Sequence, residues 1–297
     1  MPTRISLLSL LLFFSAFAMS QSAPSSYDFT SPTLVAELPD ELAEISGLSV
    51  AYDRPDEFLA VQDESGKVYR LNAAGRVLWS IDFWKDGDYE GIEVVDKDIW
   101  VVKSTGTLYH IIRPGQPDQR VEKYNTALTG DNDVEGLAYD RANNRLLLAC
   151  KQDADDDGNA KDGRYIFAFD LATKTLADDP VYGIQRTAVN DYLTGATWSA
   201  NHEKLTAFFS AEEKYDLAPS ALAIQPGTGN LYLTSSVGKI LMVLSPAGDI
   251  LELHRLKKSY FAQPEGLAFA PDGTLYISTE AKGKAKARIF KLAPVAR

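Results

Sequence analysis

Three glutamates, Glu90, Glu135 and Glu265, stand in matching phrases: Tyr89-Glu90-Gly91-Ile92, Val134-Glu135-Gly136-Leu137 and Pro264-Glu265-Gly266-Leu267. Two more phrases of the same shape carry serine in place of glutamate: Ile45-Ser46-Gly47-Leu48 and Pro219-Ser220-Ala221-Leu222. From one marker to the next the steps are 44, 45, 85 and 45 residues. If the repeats surround one axis, the markers are equivalent and the three carboxylates converge. Like charges brought together repel unless a counter-charge stands among them. A hard divalent cation with oxygen ligands supplies one. Lysines would do so too, and Lys103 and Lys151 end strands near the same rim. Both explanations fit, and calcium is favoured because it takes several oxygen ligands at once. Ser46, Asp63 and Glu280 are further candidate ligands, with Ser220 and Glu44 on the same face.

A second, weaker candidate lies in the hairpin Asp153–Arg164. Asp153, Asp155 and Asp157 followed by Gly158 match the first half of a calcium loop. The position that should close the loop with a bidentate glutamate holds Arg164. A solvated acidic loop is therefore the favoured reading and a second calcium site the alternative. No catalytic residue is assigned. His110 lies within an expected strand, His254 follows one and His202 sits between repeats, so Ser46 and Ser220 have no evident base. The single cysteine, Cys150, excludes an intrachain disulfide, and its apolar surroundings make it a core residue. Tyr69, Tyr109, Tyr232 and Tyr276 recur at strand positions and read as packing residues.

The elements that must position these groups are short strands. After the first marker come Gly47–Val50, Phe58–Val61, Lys67–Leu71 and Val77–Ile81, separated by turn residues. Four short strands with tight turns make one antiparallel blade, and a period near 45 residues is that of a β-propeller. The last copy stops after three strands. Thr33–Leu38, ahead of the first marker, resembles the missing fourth, so the chain's two ends are expected to close the ring and leave no open edge. The step of 85 residues fits either a sixth, degenerate blade or an insertion after the third. The insertion, with a helical segment over Asn201–Lys214, is favoured, which gives an all-β, five-bladed propeller with six blades as the alternative.

Met1–Ser20 has a basic start at Arg4, an apolar run from Ile5 to Met19 and small residues at its end, the pattern of a cleaved signal peptide. A linker over 21–32 and one propeller domain over 33–297 follow. The expected protein is periplasmic or secreted, with no membrane span. The formal net charge is −11, which disfavours nucleic acid and anionic surfaces as partners.

The stretches Ala218–Lys239 and Gln263–Glu280, with Glu44-Ile45-Ser46-Gly47-Leu48, resemble the SdiA-regulated family of exported bacterial proteins, distantly similar to NHL-repeat propellers. The likeness runs over about residues 35–293. It implies a five-bladed propeller with bound calcium and no established reaction. Two functions follow as expectations: a non-enzymatic calcium-binding module that meets an unknown protein or small ligand at its rim or channel, or a calcium-dependent lactonase- or esterase-like hydrolase on a related propeller.

Overall fold

The strand Ile240–Leu244 is apolar and buried at every position, whereas Val77–Asp82 alternates half-buried with exposed. The difference reflects place in a blade. A strand within a blade meets a neighbouring blade on both faces, and the outermost strand meets water on one. A computed structural model of the chain describes residues 27–152, 162–195, 201–210 and 216–295. The segment Met1–Ser20, expected to be a signal peptide, and the aspartates Asp153, Asp155 and Asp157 lie outside the described residues.

The chain opens with β1 (Thr33–Glu37). Blade one is β2 (Ile45–Ala51), β3 (Arg54–Gln62), β4 (Lys67–Leu71) and β5 (Val77–Asp82). Blade two is β6 (Tyr89–Val95), β7 (Asp98–Lys103), β8 (Leu108–Ile112) and β9 (Arg120–Tyr124). Blade three is β10 (Val134–Asp140), β11 (Arg145–Cys150) and β12 (Gly163–Asp170), its outer edge shared by β13 (Thr175–Leu176) and β14 (Tyr182–Gln185). Two helices follow, α1 (Arg186–Gly195) and α2 (His202–Phe209). Blade four is β15 (Pro219–Ile224), β16 (Leu231–Ser235), β17 (Ile240–Leu244) and β18 (Ile250–Arg255). Blade five is β19 (Pro264–Phe269), β20 (Leu275–Thr279) and β21 (Arg288–Leu292), completed by β1 in the order β1-β21-β20-β19.

The ring therefore has five blades and closes through its N-terminal strand, with Leu34 opposite Phe290 and Glu37 opposite Arg288. The long step between the third and fourth markers holds helices and no sixth sheet among the described residues. The expected helix over Asn201–Lys214 forms over His202–Phe209, with Leu205 and Phe209 buried. Together with Val189 and Leu193 of α1 these side chains enter the core between blades three and four, so the helices do more than cover a rim.

Each neighbouring pair of blades has its own apolar core. Val61 and Val68 meet Ile92 and Val101; Trp100 and Val102 meet Leu146 and Phe167; Ala60 and Tyr69 meet Ala268 and Ile289. Tyr27 and Phe29, ahead of β1, join the core between blades four and five. The Tyr27 hydroxyl donates to the Gly273 carbonyl at 2.6 Å.

The inner strands approach so closely that the glycine after the marker is sterically required. A Cβ on Gly91 would lie 2.7 Å from the Cβ of Leu137, and one on Gly266 2.8 Å from the Cβ of Leu48. Gly91→Val should destabilise the fold by about 2 kcal/mol or more, because a packed interior accommodates added methyls only by backbone shift. Urea denaturation reads this directly; an unchanged midpoint would contradict the close approach.

Candidate functional site

In all five inner strands the pairing register slips at the marker. The slips fall at Ile45/Gly47, Tyr89/Gly91, Val134/Gly136, Pro219/Ala221 and Pro264/Gly266. The marker is the extra residue of a β-bulge. Left out of the ladder, it can aim its side chain where a regular strand would not. Repetition of the bulge gathers Ser46, Glu90, Glu135, Ser220 and Glu265 at one mouth of the channel. The residue after each second strand forms an adjoining tier: Asp63, Ser104, Lys151, Ser236 and Glu280.

The electrostatics confirm the convergence. Burial raises the Glu90 carboxyl far above the usual carboxylate range, with Glu135, Asp88 and Asp63 adding to the rise. Glu265 is likewise raised by burial, then by Glu135 and Glu280. Burial also lifts Glu280 to about 7, helped by Asp63 and Glu44, and lifts Asp63 to about 6, helped by Glu44 and Glu64. One Asp63 carboxylate oxygen, Oδ1, is buried without a hydrogen-bond partner. Against these acids stands Lys151. Its Nζ donates to Glu135 Oε1 at 2.6 Å and lies 3.6 Å from Asp133. Glu135 is still raised, because burial outweighs the lysine's pull.

The two explanations for the acidic ring therefore each describe part of it. Glu135 has its lysine. Among the described residues Glu90 and Glu265 have no ion pair, and neither has Lys103. The serine markers hold the blades together: Ser46 Oγ donates to the Tyr89 carbonyl and Ser220 Oγ to the Pro264 carbonyl, each at 2.6 Å. Their oxygens retain lone pairs. Among the described residues no three His, Cys, Asp or Glu side chains are drawn together tightly enough to enclose an ion. The site is an acidic mouth whose oxygen donors suit a hard cation by charge and chemistry.

Sequence reasoning missed Asp88 and Asp133, which stand two positions before Glu90 and Glu135 and add to the charge of the mouth. Their repetition at the same offset was the available signal. Two of the histidines, His110 and His254, are held by packing and hydrogen bonds. His110 stacks on Trp100, ring centroids 4.2 Å apart, and bonds Asp98; His254 bonds Glu252 and packs on Phe29. Cys150 is fully buried, and burial pushes its thiol up to about 12, so it is a core residue as expected. No helix among the described residues is long and apolar enough to cross a membrane.

The opposite mouth is different. A cavity of about 1140 Å³ is lined there by Val50, Val94, Tyr139, Ile224 and Phe269, the residues four places after each marker. Glu93 is the carboxylate among them that links blades. Its Oε2 accepts from Ser49 Oγ at 2.9 Å, and burial pushes it up to about 7.

Comparison with known proteins agrees with this architecture. The SdiA-regulated family matches residues 29–154, from the N-terminal approach through β11. Among solved structures, a glutaminyl cyclase from Myxococcus xanthus is similar over 90% of this chain and 97% of its own, at 14% identity and a TM-score of 0.55. A luciferin-regenerating enzyme is similar over 90% of this chain and 96% of its own, at 11% identity and a TM-score of 0.50. A Bacteroides thetaiotaomicron protein of unknown function is similar over 91% of this chain and 62% of its own, at 14% identity and a TM-score of 0.50. At these identities the likeness is one of fold.

Proposed function

We propose that this protein is an exported, calcium-binding β-propeller that works as a binding module, with the ion held at the acidic mouth. The observation that carries the reading is the meeting of buried Glu90, Glu135 and Glu265 at one mouth, where Lys151 is the one cation that forms an ion pair with any of them among the described residues. Glu90, Glu135 and Glu265 would hold the ion, with Asp63 and Glu280 beside them. Calcium would supply the positive charge that the cluster lacks and leave an open side for a partner. Export rests on the pattern of Met1–Ser20.

A hydrolase at the same mouth is the second reading. Asp63 at about 6 and Glu280 at about 7 are poised near neutrality, where a carboxylate serves best as a general base.

Two measurements separate these readings. In the first, metal-stripped protein is melted across a calcium titration. An ion that binds only the folded state raises the melting temperature as its concentration grows, by about 2.7 kcal/mol of stability at a hundredfold excess over its dissociation constant. Glu135→Gln should weaken that response more than Glu203→Gln, an exposed residue of α2. A melting temperature indifferent to calcium and to chelator would end the calcium reading. In the second, calcium-loaded protein is assayed on simple esters and lactones. Turnover lost in Asp63→Asn would move the assignment to the hydrolase, and its absence would leave the binding module.

A further inference from the structure

Six cations line one depression on the same face of the propeller as the acidic mouth: Lys204, Lys239, Arg255, Lys257, Lys258 and Lys282. They come from α2, the β16–β17 turn, the end of β18 and the segment that follows it, and the segment after β20. The depression has a volume of about 620 Å³, within the range of small-molecule sites. No carboxylate is among the described residues that line it.

This clustering runs against the composition. A chain of net charge −11 has acids in excess for pairing, and elsewhere its cations use them. Arg70 pairs with Asp53 and Glu57, Arg145 with Asp140, and Lys151 with Glu135. None of the six forms an ion pair among the described residues. Their hydrogen bonds leave donors over. Lys282 Nζ gives one to Gln263 Oε1 at 3.2 Å, and Arg255 Nη1 gives one to the Lys204 carbonyl at 3.4 Å. A lysine has three donors and an arginine five. The half-buried Lys239 ammonium is held below its ordinary value by burial, then by repulsion from Lys282, with Lys258 and Arg255 adding to it and Glu265 of the acidic mouth opposing. The groove thus holds repelling cations together, one of them partly desolvated, and an anion would relieve both costs.

We propose that this groove binds a ligand bearing two or more phosphate groups. Phosphate matches the groove because a terminal phosphate carries close to two negative charges and three acceptor oxygens, and packed phosphodiester headgroups reach a similar density with one charge each, which several flexible ammonium groups and one planar guanidinium can meet. The phosphates belong either to a free phosphorylated compound or to lipid headgroups packed at a surface. The binding does not depend on calcium in the neighbouring mouth.

The test uses the whole protein in excess chelator, so that loss of metal is not read as loss of the site. Tripolyphosphate is titrated calorimetrically at low and at physiological salt. In parallel, sedimentation is measured with phosphatidylglycerol vesicles and with phosphatidylcholine vesicles. The triple variant Lys239→Gln, Arg255→Gln, Lys282→Gln should lose roughly a hundredfold in affinity for whichever anion binds. Reversal at the exposed pair, Lys257→Glu with Lys258→Glu, should do the same without touching a packed residue. The pair Lys123→Gln on β9 with Lys291→Gln on β21, both exposed and neither lining the groove, should leave affinity within about twofold, as expected of remote screened charges. Tripolyphosphate binding identifies a free phosphorylated ligand, and binding to phosphatidylglycerol vesicles alone identifies headgroups. Binding of neither, or binding that survives both groove variants, overturns the proposal.

Discussion

Deleting residues 31–40 is expected to abolish the cooperative thermal transition and send the protein into aggregates. The segment contains β1, the outer strand of blade five, and in sequence it is farthest from the strands it completes. Its removal strips the partner from β21 and opens a row of unpaired backbone groups, an edge that invites pairing with another chain. It also removes Ala36 and Leu38, which are buried with Ala60, Tyr69 and Ile289 between blades five and one. The Leu38 amide donates to the Ala287 carbonyl at 2.8 Å, so the loss is both apolar and hydrogen-bonded. A milder change grades the effect. Leu38→Ala alone should cost about 2–5 kcal/mol, the usual range for emptying a closed core site. Differential scanning calorimetry with light scattering reads both. A deletion variant that melts within a few degrees of the parent would show that the ring does not depend on its terminal strand.

The second large effect concerns pH. Without a divalent cation, the protein should lose stability as pH rises from about 4 to beyond 7. Asp63 is raised from 3.8 to about 6 and Glu280 from 4.5 to about 7, chiefly by burial, with neighbouring acids adding to it. A carboxyl whose pKa is raised by folding favours the folded state while it is protonated in both states. That contribution is complete below the unfolded value and is lost as pH climbs through the folded one. Glu90, Glu135 and Glu265 shift the same way, so several groups act together. The melting temperature of chelated protein should fall on the order of 5 °C between pH 5 and pH 8. Saturating calcium should remove most of the fall, since bound cation replaces the protons that the ring loses. Glu265→Gln should flatten the profile in chelator by taking one charge out of the mouth. A profile that rises through this window in chelator would mean that the mouth is already neutralised by Lys151 and its neighbours.

Much of this molecule was legible in its sequence because propeller blades are local. The strands of one blade are neighbours in the chain, and their turns and apolar runs are written next to one another. The marker spacing therefore identified the blades, and the truncated last copy identified Thr33–Leu38 as the closing strand. The glycine in Glu-Gly pointed to close approach, and Gly91 against Leu137 is the contact that demands it. Blade three was harder to read. Its outer edge is split between Thr175–Leu176 and Tyr182–Gln185, too short for a periodic signal.

The sequence by itself determined that a fivefold array would bring Glu90, Glu135 and Glu265 to equivalent positions, because equivalence follows from the repeat. Which charges then meet was decided only by the tertiary structure. Lys151 satisfies Glu135 while Lys103, one blade earlier, forms no ion pair among the described residues. Asp63 and Glu280 come together from the first and last blades across the closure of the ring. The six cations of the groove are spread over 79 residues of sequence, from Lys204 to Lys282, in a chain whose net charge of −11 argues against anionic ligands. Net charge is a sum over residues and is set by composition. The field at a surface depends on which loops share a face, and closing the ring sets that arrangement.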